Sequence, residues 1–143
     1  MKILFIQLPL TDHSFSYVNG NINYASASLS GYICNHYPQV VCETLPSVLS
    51  NFCSDELILK YILNIKPDLL SFTSYLWNVE RNLFLAEKVK EYLPETQIIF
   101  GGPEIAEGSY SLSECRPCVD YFITGEGEWF FSMLLDSRHI PVI

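Results

Sequence analysis

The sequence predicts a doubly wound α/β domain: a five-stranded parallel sheet with helices on both faces. Two observations carry this. Five short runs rich in aliphatic, β-branched and aromatic residues recur along the chain, and most are near-continuous rather than alternating, as in strands covered on both faces. Segments with apolar residues at helical spacing lie between them, and strand alternating with helix means a parallel sheet. The 143 residues suit one such domain, and the apolar content of 49% suits a packed core.

The elements follow in order. Lys2–Leu8 reads as the first strand. Its apolar run is too short for a secretory signal, and it meets Pro9, Asp12 and His13 with no small-residue cleavage site. A helix over Ile22–His36 places Ala25, Leu29, Tyr32 and Ile33 inward. Gln39–Leu45 is the second strand. Ser54 reads as an N-cap, followed by an acidic first turn at Asp55 and Glu56, for a helix reaching Ile65. Asp68–Thr73 is the third strand. Asn78 caps the clearest helix, Val79–Leu93, which carries Leu83, Ala86, Val89 and Leu93 on one face and stops at Pro94. Gln97–Phe100 and Val119–Thr124 are the fourth and fifth strands, and a last helix runs from Glu128 to about Leu135. Right-handed crossovers leave few topologies. The flavodoxin-like (Rossmann-like) order 2-1-3-4-5 is the common one for five such units. Residues 1–136 form one domain, and 137–143 read as the start of a connection to a C-terminal domain absent from this chain.

Charge and cysteines exclude several classes. The net charge of -8 offers no basic stripe to a nucleic-acid backbone. No apolar stretch approaches the ~20 residues a bilayer span needs. Five cysteines without a signal peptide argue against a disulfide framework and for reduced thiols in the cytoplasm.

In open α/β sheets ligands lie outside the carboxyl ends of the strands, near the point where strand order reverses. The loops there are Pro9 and Leu10 after strand one, Ser74-Tyr75-Leu76-Trp77-Asn78 after strand three, Gly101-Gly102-Pro103-Glu104 after strand four, and Gly125-Glu126-Gly127-Glu128 after strand five. The glycines admit close approach of a ligand to the backbone. Tyr75 and Trp77 offer an apolar wall with polar tips.

Familiar chemistries fail on these loops. A receiver domain needs acidic residues after strand one and an aspartate after strand three, where this chain has Gln7-Leu8-Pro9 and Thr73-Ser74. The dinucleotide fingerprint GxGxxG breaks at Phe130, and Glu126 and Glu128 would repel a pyrophosphate. There is no P-loop and no nucleophile elbow. Cys115-Arg116-Pro117-Cys118 has thioredoxin spacing but precedes a strand, so no helix N-terminus lowers a thiol pKa. A structural zinc would need a second pair of ligands.

Three stretches, Pro67–Asn78, Ile98–Glu104 and Val119–Glu128, together with the helix Asn23–Tyr32, resemble the N-terminal cobalamin-binding domain of radical S-adenosylmethionine enzymes. Cobalamin domains more widely carry DxHxxG, SxL and GG. Ser74-Tyr75-Leu76 matches SxL and Gly101-Gly102 matches GG. The resemblance implies that cobalamin is the cofactor and that Pro9, Leu10, Ser74–Asn78, Gly101–Glu104 and Gly125–Gly127 border it, with its nucleotide tail beside Ser74 and the glycine pair. DxHxxG is absent. His13 is the one candidate cobalt ligand, but Asp12 is badly spaced to orient it. That departure agrees with the radical-enzyme branch, where base-off cobalamin often lacks a protein histidine. No CxxxCxxC is present. The resemblance therefore places the iron–sulfur cluster and S-adenosylmethionine in a C-terminal radical domain, the implied partner. Cobalamin there would carry a methyl group or assist a radical rearrangement or cyclisation. No catalytic residue is identified in this chain. The alternative is a non-enzymatic interaction or sensor domain that keeps the fold without the cofactor.

Overall fold

The computed structural model describes residues 1–10, 22–105 and 117–138. Its strands are β1 (Lys2–Ile6), β2 (Val41–Thr44), β3 (Leu69–Thr73), β4 (Gln97–Gly101) and β5 (Tyr121–Phe122). The helices among the described residues are α1 (Tyr24–His36), α2 (Ser47–Phe52), α3 (Asp55–Ile65), α4 (Val79–Tyr92) and α5 (Gly127–Ser137). The strands form one parallel sheet in the order β2-β1-β3-β4-β5, the order expected. Only α2 has no counterpart in the sequence reading. The expected β5, Val119–Thr124, shrinks to Tyr121–Phe122, the two residues that pair with Ile99 and Phe100 of β4. The last helix ends at Ser137, and residues 139–143 lie outside the described residues.

Strand alternation sorts the core into two layers. Leu4, Ile6, Leu70, Phe72, Ile98 and Phe100 face α3 and α4, meeting Ile58, Ile62, Leu83, Ala86 and Val89. Ile3, Phe5, Leu69, Ile99 and Ile123 face the other way, meeting Ile33 and Tyr37 of α1 and Phe131 and Leu135 of α5. Both faces of the sheet are covered, so the strands read as continuous apolar runs.

Aspartates fasten the end of the sheet opposite the carboxyl loops. Asp68 accepts the Lys2 backbone N–H at 2.6 Å, and Asp120 accepts that of Ile98 at 2.6 Å. Asp120 also pairs with Lys90 of α4 at 2.7 Å. The Thr96 hydroxyl donates to the Pro67 carbonyl at 2.8 Å.

The expected caps stand at their positions but do other work. Ser54 precedes α3 and makes no side-chain cap bond, while Asp55 of the acidic first turn pairs with Arg81 of α4 at 2.6 Å. Asn78 precedes α4 without capping it. The amide of Asn78 is needed elsewhere.

Candidate functional site

Side-chain size tapers on one face of the sheet. On the α1/α5 face, β3 runs Leu69, Ser71, Thr73 and β4 runs Ile99, Gly101, so large residues give way to small ones toward the carboxyl end. The opposite face keeps Leu70, Phe72, Ile98 and Phe100. Helix α1 brings the small residues Ala25 and Ser28 over the tapered region, beside Leu29. The result is a slot of about 350 Å³ between sheet and helices, floored by Ser71, Thr73 and Gly101 and walled by Leu29 and Ile123. Tyr24, Gly102, Gly125, Gly127 and Glu128 also line it.

The two adjacent glycines differ in role. A Cβ on Gly101 would stand 3.6 Å from the Ile123 Cβ, an ordinary contact, so the residue leaves floor space in the slot. A Cβ on Gly102 would lie 2.6 Å from the Ser74 carbonyl oxygen and 2.8 Å from its nitrogen, and φ at Gly102 is +108°. Gly102 therefore exists for the chain's own crossing as much as for any ligand. That crossing is tight: the Ser74 N–H donates to the Gly101 carbonyl at 2.6 Å, and the Glu104 N–H donates to the Ser74 carbonyl at 3.2 Å.

Ser74 is fully buried and lies on the α4 side. Its hydroxyl accepts from the Asn82 amide at 3.3 Å. It does not line the slot; Ser71 and Thr73, three and one positions back on the other face, do. The Asn78 amide clamps three segments. Its Nδ2 donates to the Leu8 carbonyl at 2.9 Å and the Thr73 carbonyl at 3.2 Å, and its Oδ1 accepts from the Tyr75 N–H at 2.8 Å. The carboxyl ends of β1 and β3 are thus held at a fixed spacing.

The other sequence-derived positions form a rim. Pro9 is buried and Leu10 is exposed after β1. Tyr75 and Trp77 stack on each other, centroids 4.4 Å apart and planes 6° apart, and do not wall the slot. Leu76 is 79% exposed and Trp77 48%, leaving an apolar ledge on the edge that carries the slot. Pro103 and Glu126 are exposed, and Glu104 is half-buried. Asp12 and His13, with 11–21, lie outside the described residues, as do Cys115 and Arg116. Among the described residues no cluster of three His, Cys, Asp or Glu side chains could hold a metal ion. Cys118 is buried.

Sequence reasoning missed Tyr24, Ala25, Ser28, Leu29, Ser71, Thr73 and Ile123 as slot residues, and placed Glu128 on the right loop without a role. The period of two in β3 and β4 was the available signal. A wider hollow of about 590 Å³ lies between α1, the carboxyl end of β2 and α2.

These features define an open α/β domain with a slot at the carboxyl edge of its sheet. The fold is that of a CheY-like protein, TadZ, from Pseudomonas aeruginosa, with a TM-score of 0.58 over 96% of this chain and 93% of that one, at 15% identity. No family model matches the chain. Part of the chain is 36% identical over 74 residues to the cobalamin-dependent radical SAM methyltransferase TokK of Streptomyces tokunonensis, covering 52% of this chain and 11% of that protein. It is also 36% identical over 72 residues to the 2-(S-pantetheinyl)-carbapenam-3-carboxylate methyltransferase of Streptantibioticus cattleyicolor, covering 50% of this chain and 11% of that protein. The chain thus spans only a small part of the curated relatives it matches. Among the described residues, no helix is long and apolar enough to cross a membrane.

The slot's volume of about 350 Å³ sits at the low end of ligand pockets, roughly 300–1,000 Å³. A flat bicyclic ring suits such a space, with Leu29 and Ile123 against its faces and the Ser71 and Thr73 hydroxyls at its edge. A corrin macrocycle is too wide for it. Of cobalamin, the residues present therefore fit the heteroaromatic base of the nucleotide tail, with the macrocycle outside.

Proposed function

We propose that this domain binds cobalamin and serves as the cobalamin module of a radical S-adenosylmethionine enzyme. The observation that carries the reading is the slot made by the small residues Ser71, Thr73 and Gly101 beneath α1. The regional similarity to two methyltransferases, one of them cobalamin-dependent by name, supports it. On this reading Leu29 and Ile123 would hold the tail base in the slot, and a hydroxyl of Ser71 or Thr73 would donate to its free ring nitrogen. Leu10, Leu76 and Trp77 give the macrocycle an apolar seat. Asn78 and Gly102 hold the loops that carry this seat at their spacing. When bound, cobalamin supplies a methyl carrier or a radical partner; this chain's residues supply position and exclude water. A base held in the slot would leave the cobalt without it as a ligand, as the absence of a DxHxxG histidine motif also suits. On this reading the iron–sulfur cluster and S-adenosylmethionine would be held by a further domain of the enzyme.

The test is titration of the 143-residue chain with hydroxocobalamin, followed by the visible spectrum and by co-elution on gel filtration. Gly101→Phe fills the slot and should abolish both signals while melting within a few degrees of wild type. A wild-type chain that shows neither signal refutes the reading.

A second reading is favoured by the 79% exposure of Leu76: a protein-interaction domain without cofactor. On that reading Gly101→Phe leaves partner binding intact, and Leu76→Asp removes it.

A further inference from the structure

The slot has a carboxylate at its edge whose role the base alone does not explain. Glu128 lines the slot from the first turn of α5, where the helix dipole favours its negative charge. Its Oε1 accepts from the Ser28 hydroxyl of α1 at 2.9 Å. None of the ion pairs among the described residues involves it. A half-buried carboxylate with one neutral donor has acceptor capacity left over, since each of its oxygens takes two hydrogen bonds. It meets polyhydroxyl groups well and repels phosphate.

We infer that Glu128 accepts hydrogen bonds from the free hydroxyls of a ribose whose base lies in the slot. This makes the slot a nucleoside site that selects against a phosphate at that hydroxyl position. Carboxylates at the carboxyl edge of parallel sheets recognise ribose hydroxyls in the same chemical way in dinucleotide-binding domains. Here the carboxylate sits at the α5 N-terminus beside β5, and Ser28 holds one of its oxygens from the facing helix. The inference rests on the cobalamin reading for the identity of the ribose, which is that of the nucleotide tail.

The experiment compares cobalamin with cobinamide, which keeps the macrocycle and lacks the nucleotide, on wild type, Glu128→Ala, Glu128→Gln and Ser28→Ala. Glu128→Ala should weaken cobalamin binding at least about tenfold, as loss of charge-assisted hydrogen bonds does, and leave cobinamide binding unchanged. Glu128→Gln keeps one acceptor and should recover part of the loss. Ser28→Ala removes the hydroxyl that holds the carboxylate but keeps its charge, and should weaken cobalamin binding less than Glu128→Ala does, with cobinamide binding unchanged. Equal weakening of both corrinoids by Glu128→Ala, or no weakening of either, overturns the inference. The nucleoside α-ribazole separates the two proposals. Glu128-dependent binding of α-ribazole by a chain that takes up neither corrinoid supports the ribose contact and refutes the cobalamin reading. A chain that binds none of the three overturns both.

Discussion

At Gly102, φ of +108° and a backbone 2.6 Å from where a Cβ would stand leave no room for any side chain. Gly102→Ala should therefore destabilise the fold by about 2 kcal/mol or more, the strained backbone and the steric overlap acting together. Urea denaturation measures this, and a midpoint within error of wild type would refute the close crossing. Gly101→Ala tests the contrast, because its Cβ meets only ordinary contacts, and its midpoint should stay close to wild type. Asn78 is 1% exposed, and its amide satisfies the Leu8 and Thr73 carbonyls and the Tyr75 N–H. Asn78→Ala leaves these groups buried and unpaired, so about 2–4 kcal/mol should be lost. Asn78→Asp should not rescue it, since a carboxylate cannot donate to either carbonyl. The identity of Asn78 as a loop polar residue was legible in the sequence. Its clamping role was not, because its partners lie 70 and 5 residues away along the chain.

Helix α3 ends on Lys66, which adopts φ 50° and ψ 62° and donates its N–H to the Ile62 carbonyl at 2.9 Å. A left-handed cap is usually glycine, because a Cβ is strained there. Lys66→Gly should raise stability by about 0.5–1 kcal/mol, read as a higher melting temperature with an unchanged fold. The strands and the four longer helices were legible because their apolar period is local. Helix α2 was not: Ser47–Phe52 is short, and of its residues only Ser50 is buried, so it has no apolar stripe. The slot is an element-scale feature as well. Leu69, Ser71 and Thr73 are two residues apart, so their shared face was readable from the sequence. That α1 would lie over that face was not, because helix placement depends on which sheet face Ile33 and Tyr37 find.

For the molecule as a whole, the half-buried Cys42 thiol and the buried Tyr37 phenol make stability fall at alkaline pH. Burial, with the neighbouring Cys34 thiol, pushes Cys42 up to about 12. Burial and the hydrogen bond to Asp136 also raise Tyr37. Each group is held neutral by the fold, while in the unfolded chain the thiol ionises near about 8.5 and the phenol near about 10. Their contribution is therefore full below about pH 8.5 and is lost as pH rises toward the raised values. Urea midpoints should hold between pH 7 and 8 and fall through pH 9 to 11. Cys42→Val should flatten the first part of that fall. Alkylation at pH 8 should modify the exposed Cys34 well before Cys42.

The sequence by itself determined the α/β class and the strand order, and so which loops lie at the carboxyl edge of the sheet. Those follow from local periodicity, turn residues and the handedness of crossovers, all written within short spans of chain. Only the tertiary structure decided which residues on that edge make the slot. It turned Ser74 and Asn78 into the frame, brought Ser71, Thr73 and Gly101 to the floor, and set Glu128 of α5 against Ser28 of α1. The reason is that a slot is the space between elements, fixed when both faces of the sheet are packed, and Ser28 and Glu128 are 100 residues apart in the chain.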